Sequence, residues 1–126
     1  MHHSYPRKIY AIKHNITGKV YIGSTGKTIE ERYRRHISAL RKHKHPSKLM
    51  QKDFEEFGEN YTVYELGEIT EYAYREKEYE YILKYKTYDP EIGYNQGDYN
   101  VRRKRSSIQM NFSTNNDDLF GNKEEL

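Results

Sequence analysis

Alternating apolar and polar positions predict two β-strands near the N-terminus. Residues 8–13 alternate between two faces, with Tyr10 and Ile12 on one of them. Residues 20–23 form a second short apolar segment. The sequence Asn15-Ile16-Thr17-Gly18 lies between these segments, and Asn and Gly tolerate the positive φ angles that tight hairpin turns need. The two strands are therefore expected to pair as an antiparallel hairpin.

A helical pattern follows the hairpin. Thr28, with Glu31 three residues later, forms a capping-box signature in which the hydroxyl accepts a hydrogen bond from a free backbone amide. The helix is expected to cover residues 29–42. Arg32 and His36 lie one turn apart and are expected at the boundary between core and solvent. Beside them, apolar residues recur at spacings of three and four and should face the sheet: Ile29, Tyr33, Ile37 and Leu40.

The second half of the chain predicts two more helices and a third strand. After a break, Pro46 suits the first turn of a helix that ends at Gly58, a natural stop. Residues 61–68 alternate and are expected to form the third strand. The third helix should open at residue 70 or 71 and run to residue 85. The expected fold is an α/β domain with a small three-stranded antiparallel or mixed sheet flanked by helices.

The composition fits one small domain with a modest core. The 126-residue chain is 34% hydrophobic and 33% charged, and its 14 tyrosines add buried area while each keeps a polar tip. No stretch approaches the run of about 20 apolar residues that spans a bilayer, and the first residues lack the apolar centre of a signal peptide. Cysteine is absent, which excludes disulfides and thiolate zinc sites. We therefore expect an intracellular, cytoplasmic protein (nuclear in a eukaryotic setting) with no membrane partner.

Charge is distributed unevenly along the chain. The formal net charge is +3, but residues 32–48 contain no acidic residue, whereas residues 71–80 are rich in glutamate. A basic surface near an acidic one suits a phosphate backbone beside a metal ion. A helix with ordinary solvated charge explains the same pattern about equally well. The cations expected to bind nucleic acid are Arg34, Arg35, Arg41, Lys42, Lys44 and Lys48.

Several polar residues occur in an order that resembles the GIY-YIG nuclease superfamily. The second motif of that family is present as Tyr21-Ile22-Gly23, and the first reads Lys8-Ile9-Tyr10, with lysine in place of glycine. The resemblance covers roughly residues 7–96, and the chain looks like a stand-alone catalytic domain that resembles the N-terminal domain of phage homing endonucleases. The other matching positions are Arg32, His36, His45, Glu78 and the closing Gly93-Tyr94-Asn95.

The resemblance implies a role for each matching residue. Tyr10 would be the general base, Tyr21 would hold the water or the phosphate, and Arg32 would bind a phosphate oxygen. His36 would orient the nucleophile or share the proton, and Glu78 would anchor one divalent ion, Mg²⁺ or Mn²⁺. A single carboxylate is acceptable because Mg²⁺ keeps several of its waters. Without the resemblance, the metal ligand cannot be chosen among Glu71, Glu76, Glu78 and Glu80.

Four further residues are expected to support the site. A free tyrosine has a pKa near 10, so Tyr10 needs a nearby cation or metal to lose its proton, and Lys19 is the candidate cation. Gly23 belongs to the second motif. The resemblance implies that Asn95 braces the site through its amide. His45 is the least distinctive of the four, since the chain contains 6 histidines.

The resemblance implies a metal-dependent endonuclease that hydrolyses double-stranded DNA. Residues 7–97 would form the nuclease domain, and residues 98–126 a polar, disordered tail with the basic run Arg102-Arg103-Lys104-Arg105. Because little sequence remains for a recognition domain, sequence specificity is expected to be low, or to depend on a partner protein or on dimerisation. Other interpretations stay open: an inactive nucleic-acid-binding module, a subunit of a larger nuclease or repair complex, and a nuclease acting on structured RNA.

Overall fold

The computed structural model describes residues 6–69 and 74–95. Their helices and strands follow the predicted order: β1 Arg7–His14, β2 Val20–Thr25, α1 Ile29–Arg41, α2 Lys48–Phe57, β3 Tyr61–Ile69 and α3 Tyr74–Tyr85. The predicted start of the third helix, at residue 70 or 71, and the predicted tail from residue 98 lie outside the described residues. The expected α/β fold, a three-stranded sheet flanked by helices, is confirmed.

The sheet is antiparallel throughout, with β1 in the centre between β2 and β3. The β1–β2 hairpin closes through a turn in which Gly18 has a φ of 77° and donates its amide proton to the carbonyl of His14. This left-handed conformation favours glycine. In the resulting register, Tyr10 lies opposite Gly23. The register of β1 against β3 shifts between Ile9 and Tyr10, as in a β-bulge.

Each face of the sheet is covered by helix. Strand alternation sends neighbouring side chains to opposite faces, so Ile9 and Ala11 pack with Ile82 of α3. Tyr10 and Ile12 face the other way. They pack in a second apolar cluster with residues of α1 and α2, and with Tyr94: Ile37, Leu40 and Met50. The predicted apolar stripe of α1 is therefore confirmed as a core-facing stripe.

Helix boundaries follow capping chemistry. The Thr28 hydroxyl accepts a hydrogen bond from the amide of Glu31 at 3.0 Å, so the predicted cap of α1 is confirmed. The predicted start of α2 at Pro46 is wrong. Ser47 is its N-cap, with its hydroxyl accepting from the amide of Met50 at 3.2 Å, and the helix begins at Lys48. Gly58 ends α2 with a φ of 80°, as expected for a glycine stop.

The closing segment lies along the outer edge of β2. Gly93 forms a parallel bridge with Val20, and Tyr94 donates its amide proton to the carbonyl of Val20. The Asn95 side chain accepts from the amide of Ile22 at 2.8 Å and donates to the carbonyl of the same residue at 2.9 Å. A side-chain amide thus replaces a strand partner. Among the described residues, no helix combines the length and the apolar character that crossing a membrane requires.

Candidate active site

The hydroxyl of Tyr10 lies at the centre of a buried polar cluster. The side chain is 1% exposed, and its place opposite Gly23 explains why glycine is needed there. A Cβ atom at position 23 would lie 2.5 Å from the Tyr10 Oη and 2.7 Å from its Cζ. The phenol occupies the space that a side chain on β2 would otherwise fill. The glycine of the second motif therefore provides the space in which the tyrosine of the first motif packs.

Two side chains of α1 contact the Tyr10 hydroxyl. The His36 Nε2 lies 2.7 Å from the Tyr10 Oη, and the Arg32 Nε donates a hydrogen bond to the same oxygen at 3.2 Å. Arg32 and His36 are four residues apart, so both project from one face of the helix. His36 is 5% exposed and belongs to the core, which corrects the prediction that it lies at the boundary with solvent.

A second histidine extends this cluster. The His45 Nε2 lies 2.8 Å from the Nδ1 of His36, and the backbone amide of Ser47 donates to the Nδ1 of His45 at 3.0 Å. His45 returns to α1 because the chain reverses after the helix. His43 has a φ of 60°, and the amides of His43 and Lys44 donate to the carbonyls of Leu40 and Ala39, which is a Schellman motif.

The hydrogen-bond partners determine the tautomers of both histidines. The Ser47 amide can only donate, so the Nδ1 of neutral His45 accepts and its proton is on Nε2. That proton is donated to the Nδ1 of His36, whose own proton is then on Nε2 and points at Tyr10. The chain of hydrogen bonds therefore runs in one direction, towards the phenol oxygen. Tyr10 accepts from both His36 and Arg32.

Burial shifts the pKa of every member of this chain towards its neutral form. Desolvation lowers the pKa of His36 to about 3, aided by the charges of His45 and Arg32. Desolvation likewise lowers the pKa of His45 to about 4. The pKa of Tyr10 is raised by burial, against the hydrogen bond and charge of Arg32, which lower it. The cation nearest to Tyr10 is therefore not enough to lower its pKa in the free protein, where the effect of burial is larger.

The predicted role of Lys19 is also wrong. Lys19 follows the hairpin turn, where its carbonyl accepts from the amide of His14. Tyr10 lies four residues before His14 on β1, about 13 Å from it at the usual strand rise. The cations that act on the Tyr10 pKa are Arg32 and Arg7. The hairpin register thus places Lys19 at the turn, away from the pair that Tyr10 forms with Gly23.

Glu78 approaches the site from α3, on the opposite face of the sheet. The Ser24 hydroxyl donates to its Oε1 at 3.0 Å. Ser24 is adjacent to Gly23 on the edge strand β2, so the carboxylate lies beside the strand that carries the second motif. Burial raises the pKa of Glu78, although Ser24 and neighbouring arginines lower it. Glu76 is exposed, and Glu80 pairs with Lys77 at 3.7 Å.

Arg32 connects the carboxylate with the phenol cluster. Its pKa is raised by a hydrogen bond with Tyr10 and by the charges of Tyr10, Tyr21 and Glu78, although burial acts in the other direction. The two clusters thus lie within electrostatic reach of each other. One surface depression of about 330 Å³ includes Glu78 and Ser24. A second, of about 400 Å³, includes Arg32 and again Ser24.

The donor set near Glu78 suits one hard cation that keeps most of its waters. Within residues 6–69 and 74–95 there is no group of three or more His, Cys, Asp or Glu side chains that could enclose a metal ion. A single carboxylate lining an open depression is a poor site for zinc but an acceptable anchor for Mg²⁺. The residues present therefore fit the expected ion.

Tyr21 and Asn95 frame the cluster. The Tyr21 ring meets the His36 and His45 rings edge-on, with centroids 4.8 Å and 5.8 Å apart. The Asn95 side chain donates to and accepts from the backbone of Ile22 and is 4% exposed. It therefore braces the strand between Tyr21 and Gly23.

The six cations predicted to bind nucleic acid are all exposed, but they do not form one surface. Arg35 lines the same depression as Arg32. Arg34, Arg41 and Lys42 line a separate depression that includes Glu59, with which Arg41 forms a 2.9 Å ion pair. Lys44 and Lys48 lie beyond the end of α1. Arg35 is thus the member of the predicted set that lies beside the cluster.

Sequence reasoning missed Arg7. Its guanidinium stacks on the Tyr74 ring at 3.9 Å, and its Nη2 donates to the Ser24 hydroxyl at 3.4 Å. Its charge acts on both Glu78 and Tyr10. Arg7 directly precedes the first motif, and nothing in the sequence places Tyr74 beside it. The only signal in the sequence is that a basic residue stands directly before the first motif.

Comparison with known proteins agrees with this geometry. Residues 7–95 match the family described as the GIY-YIG catalytic domain. The fold matches the catalytic domain of the intron endonuclease I-TevI, in a glutamate-to-alanine mutant, at 32% identity and a TM-score of 0.66, covering 74% of this chain and 95% of that one. A second structure of the catalytic domain of the homing endonuclease I-TevI matches at 32% identity and a TM-score of 0.65, covering 73% and 99%. No curated protein sequence matches. The chain therefore belongs to the GIY-YIG catalytic-domain family, and it is an endonuclease.

Proposed function

We propose that this endonuclease hydrolyses phosphodiester bonds of double-stranded DNA with the help of one divalent ion, Mg²⁺ or Mn²⁺, held by Glu78. The observation that carries the proposal is that Arg32 donates to the Tyr10 hydroxyl and lines a depression together with Ser24, the hydrogen-bond partner of the Glu78 carboxylate. A phosphate placed between them would meet a guanidinium, a phenol and a carboxylate-bound ion. Phosphodiester hydrolysis needs charge neutralisation and a proton acceptor in that arrangement.

Arg32 would hold a non-bridging phosphate oxygen. Its Nε is committed to Tyr10, which leaves the terminal nitrogens of the planar fork for an anion. The guanidinium stays charged throughout the reaction because its hydrogen bond to Tyr10 and the charges of its neighbours raise its pKa, although burial acts against them. It can therefore stabilise the negative charge that develops on the phosphoryl oxygens. The metal, when bound, would polarise the phosphate and stabilise the leaving oxygen.

Tyr10 would accept the proton of the attacking water once its own proton has left. Its oxygen receives hydrogen bonds from His36 and Arg32, so both donors stabilise the phenolate more than the phenol. The phenol proton cannot pass to His36, whose Nε2 already carries a proton. It must leave towards the substrate side. His36 is therefore a fixed donor to Tyr10 and does not act as a base in this state.

The substrate assignment rests on the solved relatives. The matching structures are catalytic domains of an intron and homing endonuclease, and DNA is the substrate that this likeness supports. The side chains lining the site, Arg32 and Arg35, suit phosphate rather than base edges. Phosphate contacts carry no sequence information, so we expect low intrinsic specificity, with target choice supplied by a partner protein or by dimerisation.

A plasmid nicking assay tests this proposal. Glu78→Gln keeps the size of the side chain but removes its charge, so metal-dependent cleavage should fall by at least about 100-fold. Glu76→Gln, on the exposed face of the same helix, is the matched control and should cleave like the wild type. EDTA should abolish cleavage, and added Mg²⁺ or Mn²⁺ should restore it.

The other interpretations are outcomes of the same assay. Undiminished cleavage in EDTA, or equal rates for the two glutamine variants, would refute the role of Glu78. DNA binding without cleavage under either metal would indicate an inactive binding module or a subunit that requires a partner. Cleavage of structured RNA but not of plasmid would change the substrate and leave the chemistry in place.

A further inference from the structure

We propose that Arg7 is a second phosphate-binding arginine of this site, which contacts a non-bridging phosphate oxygen of the strand being cut. This inference rests on the proposed nuclease function and deepens it. Arg7 lines both depressions, the one that contains Glu78 and the one that contains Arg32. Its charge reaches Glu78 and Tyr10. It therefore stands between the carboxylate and the first arginine.

The guanidinium of Arg7 is held in one orientation before any ligand binds. One of its faces lies on the Tyr74 ring, with 3.9 Å between the Arg7 Cζ and the ring centroid. The Nη1 lies close to Gly26, where an added Cβ would be 3.1 Å away. The Nη2 reaches the Ser24 hydroxyl at 3.4 Å. An arginine fixed in this way loses little conformational entropy when it binds an anion.

The contacts of Arg7 leave its charge poorly compensated. The 3.4 Å hydrogen bond to Ser24 is long. In the described parts of the chain, no carboxylate lies within the 4.0 Å limit of an ion pair with it. A partly buried cation without a close counter-ion is costly. A phosphate would supply the missing anion through short, charge-assisted hydrogen bonds.

The neighbours of Arg7 also favour an anion. The depression that it shares with Arg32 is lined by two further cations, Lys27 and Arg35, and by a single acidic residue, Glu31. Lys27 and Glu31 lie 3.9 Å apart and partly neutralise each other. The remaining three arginines repel one another unless an anion binds among them. A polynucleotide strand provides successive phosphates to satisfy more than one of them.

Single-turnover cleavage and DNA binding by Arg7→Gln and Arg7→Lys test the proposal. Gln keeps the stem and some hydrogen-bonding capacity, and Lys keeps the charge but not the planar fork. Each should cut roughly 10- to 100-fold more slowly than the wild type, as expected for a lost charge-assisted hydrogen bond. For Arg7→Gln, the slope of log binding constant against log salt should fall by about 1. Lys52→Gln, which removes an exposed cation of α2, is the control.

A methylphosphonate scan separates a phosphate contact from a structural role. A methylphosphonate replaces one charged phosphate with an uncharged group. At the phosphate that Arg7 contacts, this replacement should slow cleavage by the wild type but should hardly slow cleavage by Arg7→Gln any further. Such non-additivity at one position would establish the contact. If the two effects multiply at every position, or if Arg7→Gln cleaves like Lys52→Gln, the proposal is overturned while the nuclease function stands. If the wild type does not cleave, the proposed function fails, and the salt slope still decides whether Arg7 binds phosphate. Thermal unfolding verifies that each variant is folded.

Discussion

At the scale of single residues, the site depends on how little space surrounds one phenol. The Tyr10 oxygen is held by His36 and Arg32, and Gly23 leaves room for its ring. The hydroxyl cannot move without losing one of its two donors. The identity of residue 23 therefore controls the chemistry without any contact with substrate.

Replacing Gly23 with alanine should uncouple activity from stability. The new methyl group would meet the Tyr10 Oη at 2.5 Å, so the ring must shift and the hydrogen bonds to His36 and Arg32 lengthen. Overpacking of this kind costs about 1–3 kcal/mol, but cleavage should fall by at least about 100-fold.

Gly67→Ala is the control for this prediction. Its methyl group would lie 2.9 Å from the Tyr81 Oη, on the face of the sheet that packs against α3. This variant should lose stability and keep most of its cleavage rate. Urea unfolding combined with single-turnover cleavage of both variants measures the two quantities. Equal loss of activity in the two variants would show that the packing of Tyr10 has no special importance.

At the scale of helices and strands, the first residues of α2 and its N-cap have more than one structural role. The Ser47 hydroxyl caps the helix by accepting from the amide of Met50 and also donates to the carbonyl of Tyr94 at 2.7 Å. Its backbone amide fixes the tautomer of His45. The N-terminus of α2 thus joins the histidine chain to the closing segment. By comparison, the Thr28 hydroxyl caps α1 by accepting from the amide of Glu31.

The two caps should therefore differ in energetic importance. Thr28→Ala should lower the free energy of unfolding by about 1 kcal/mol, the usual value of an N-cap. Ser47→Ala should lower it by about 2–3 kcal/mol, because the buried carbonyl of Tyr94 also loses its donor. The backbone amide of residue 47 remains in both variants, so the histidine chain should persist and cleavage should change little at temperatures where both are folded. Equal losses in chemical denaturation would contradict this difference.

At the scale of the whole molecule, buried neutral histidines make the fold sensitive to acid. Burial lowers the pKa of His36 to about 3 and that of His45 to about 4, and it also lowers the pKa of His14. In the unfolded chain these rings titrate near pH 6.5. Between that pH and the lowered values, the unfolded state binds more protons. The stabilisation from neutral histidine is therefore complete above about pH 6.5 and is lost as the pH falls.

Acid unfolding should reveal these protons. From pH 6 to pH 4.5, the free energy of unfolding should fall by about 1.4 kcal/mol per pH unit for each histidine that stays neutral in the fold. His36→Gln removes one titrating ring, so its slope should be smaller by about that amount, even if the variant is less stable at neutral pH. Chemical denaturation at a series of pH values measures both slopes. Identical slopes would mean that His36 is protonated in the folded protein.

The sequence predicted the local features of this molecule better than the contacts between distant segments. Alternation located β1 and β3, a short apolar segment located β2, and the capping box located the first turn of α1, because all of these depend on neighbouring residues. The packing of Tyr10 and the direction of the hydrogen bonds through His45 and His36 depend on how β1, α1 and the loop before α2 pack together. His43 adopts a left-handed conformation usually taken by glycine, so the turn that brings His45 to His36 gave no sequence signal.

The closing segment has a consequence for how copies of this chain could associate. An unpaired edge strand is a template for another chain. On β2, however, Ile92 and Tyr94 already bind the backbone groups of Val20, and the Asn95 side chain binds those of Ile22. In the described sheet, strand pairing between copies is left to β3, the strand at the other edge. Two copies joined there would form one six-stranded sheet. Their β2 strands would lie about 24 Å apart at the usual strand spacing, so this dimer would carry its two nuclease sites at opposite ends of the sheet.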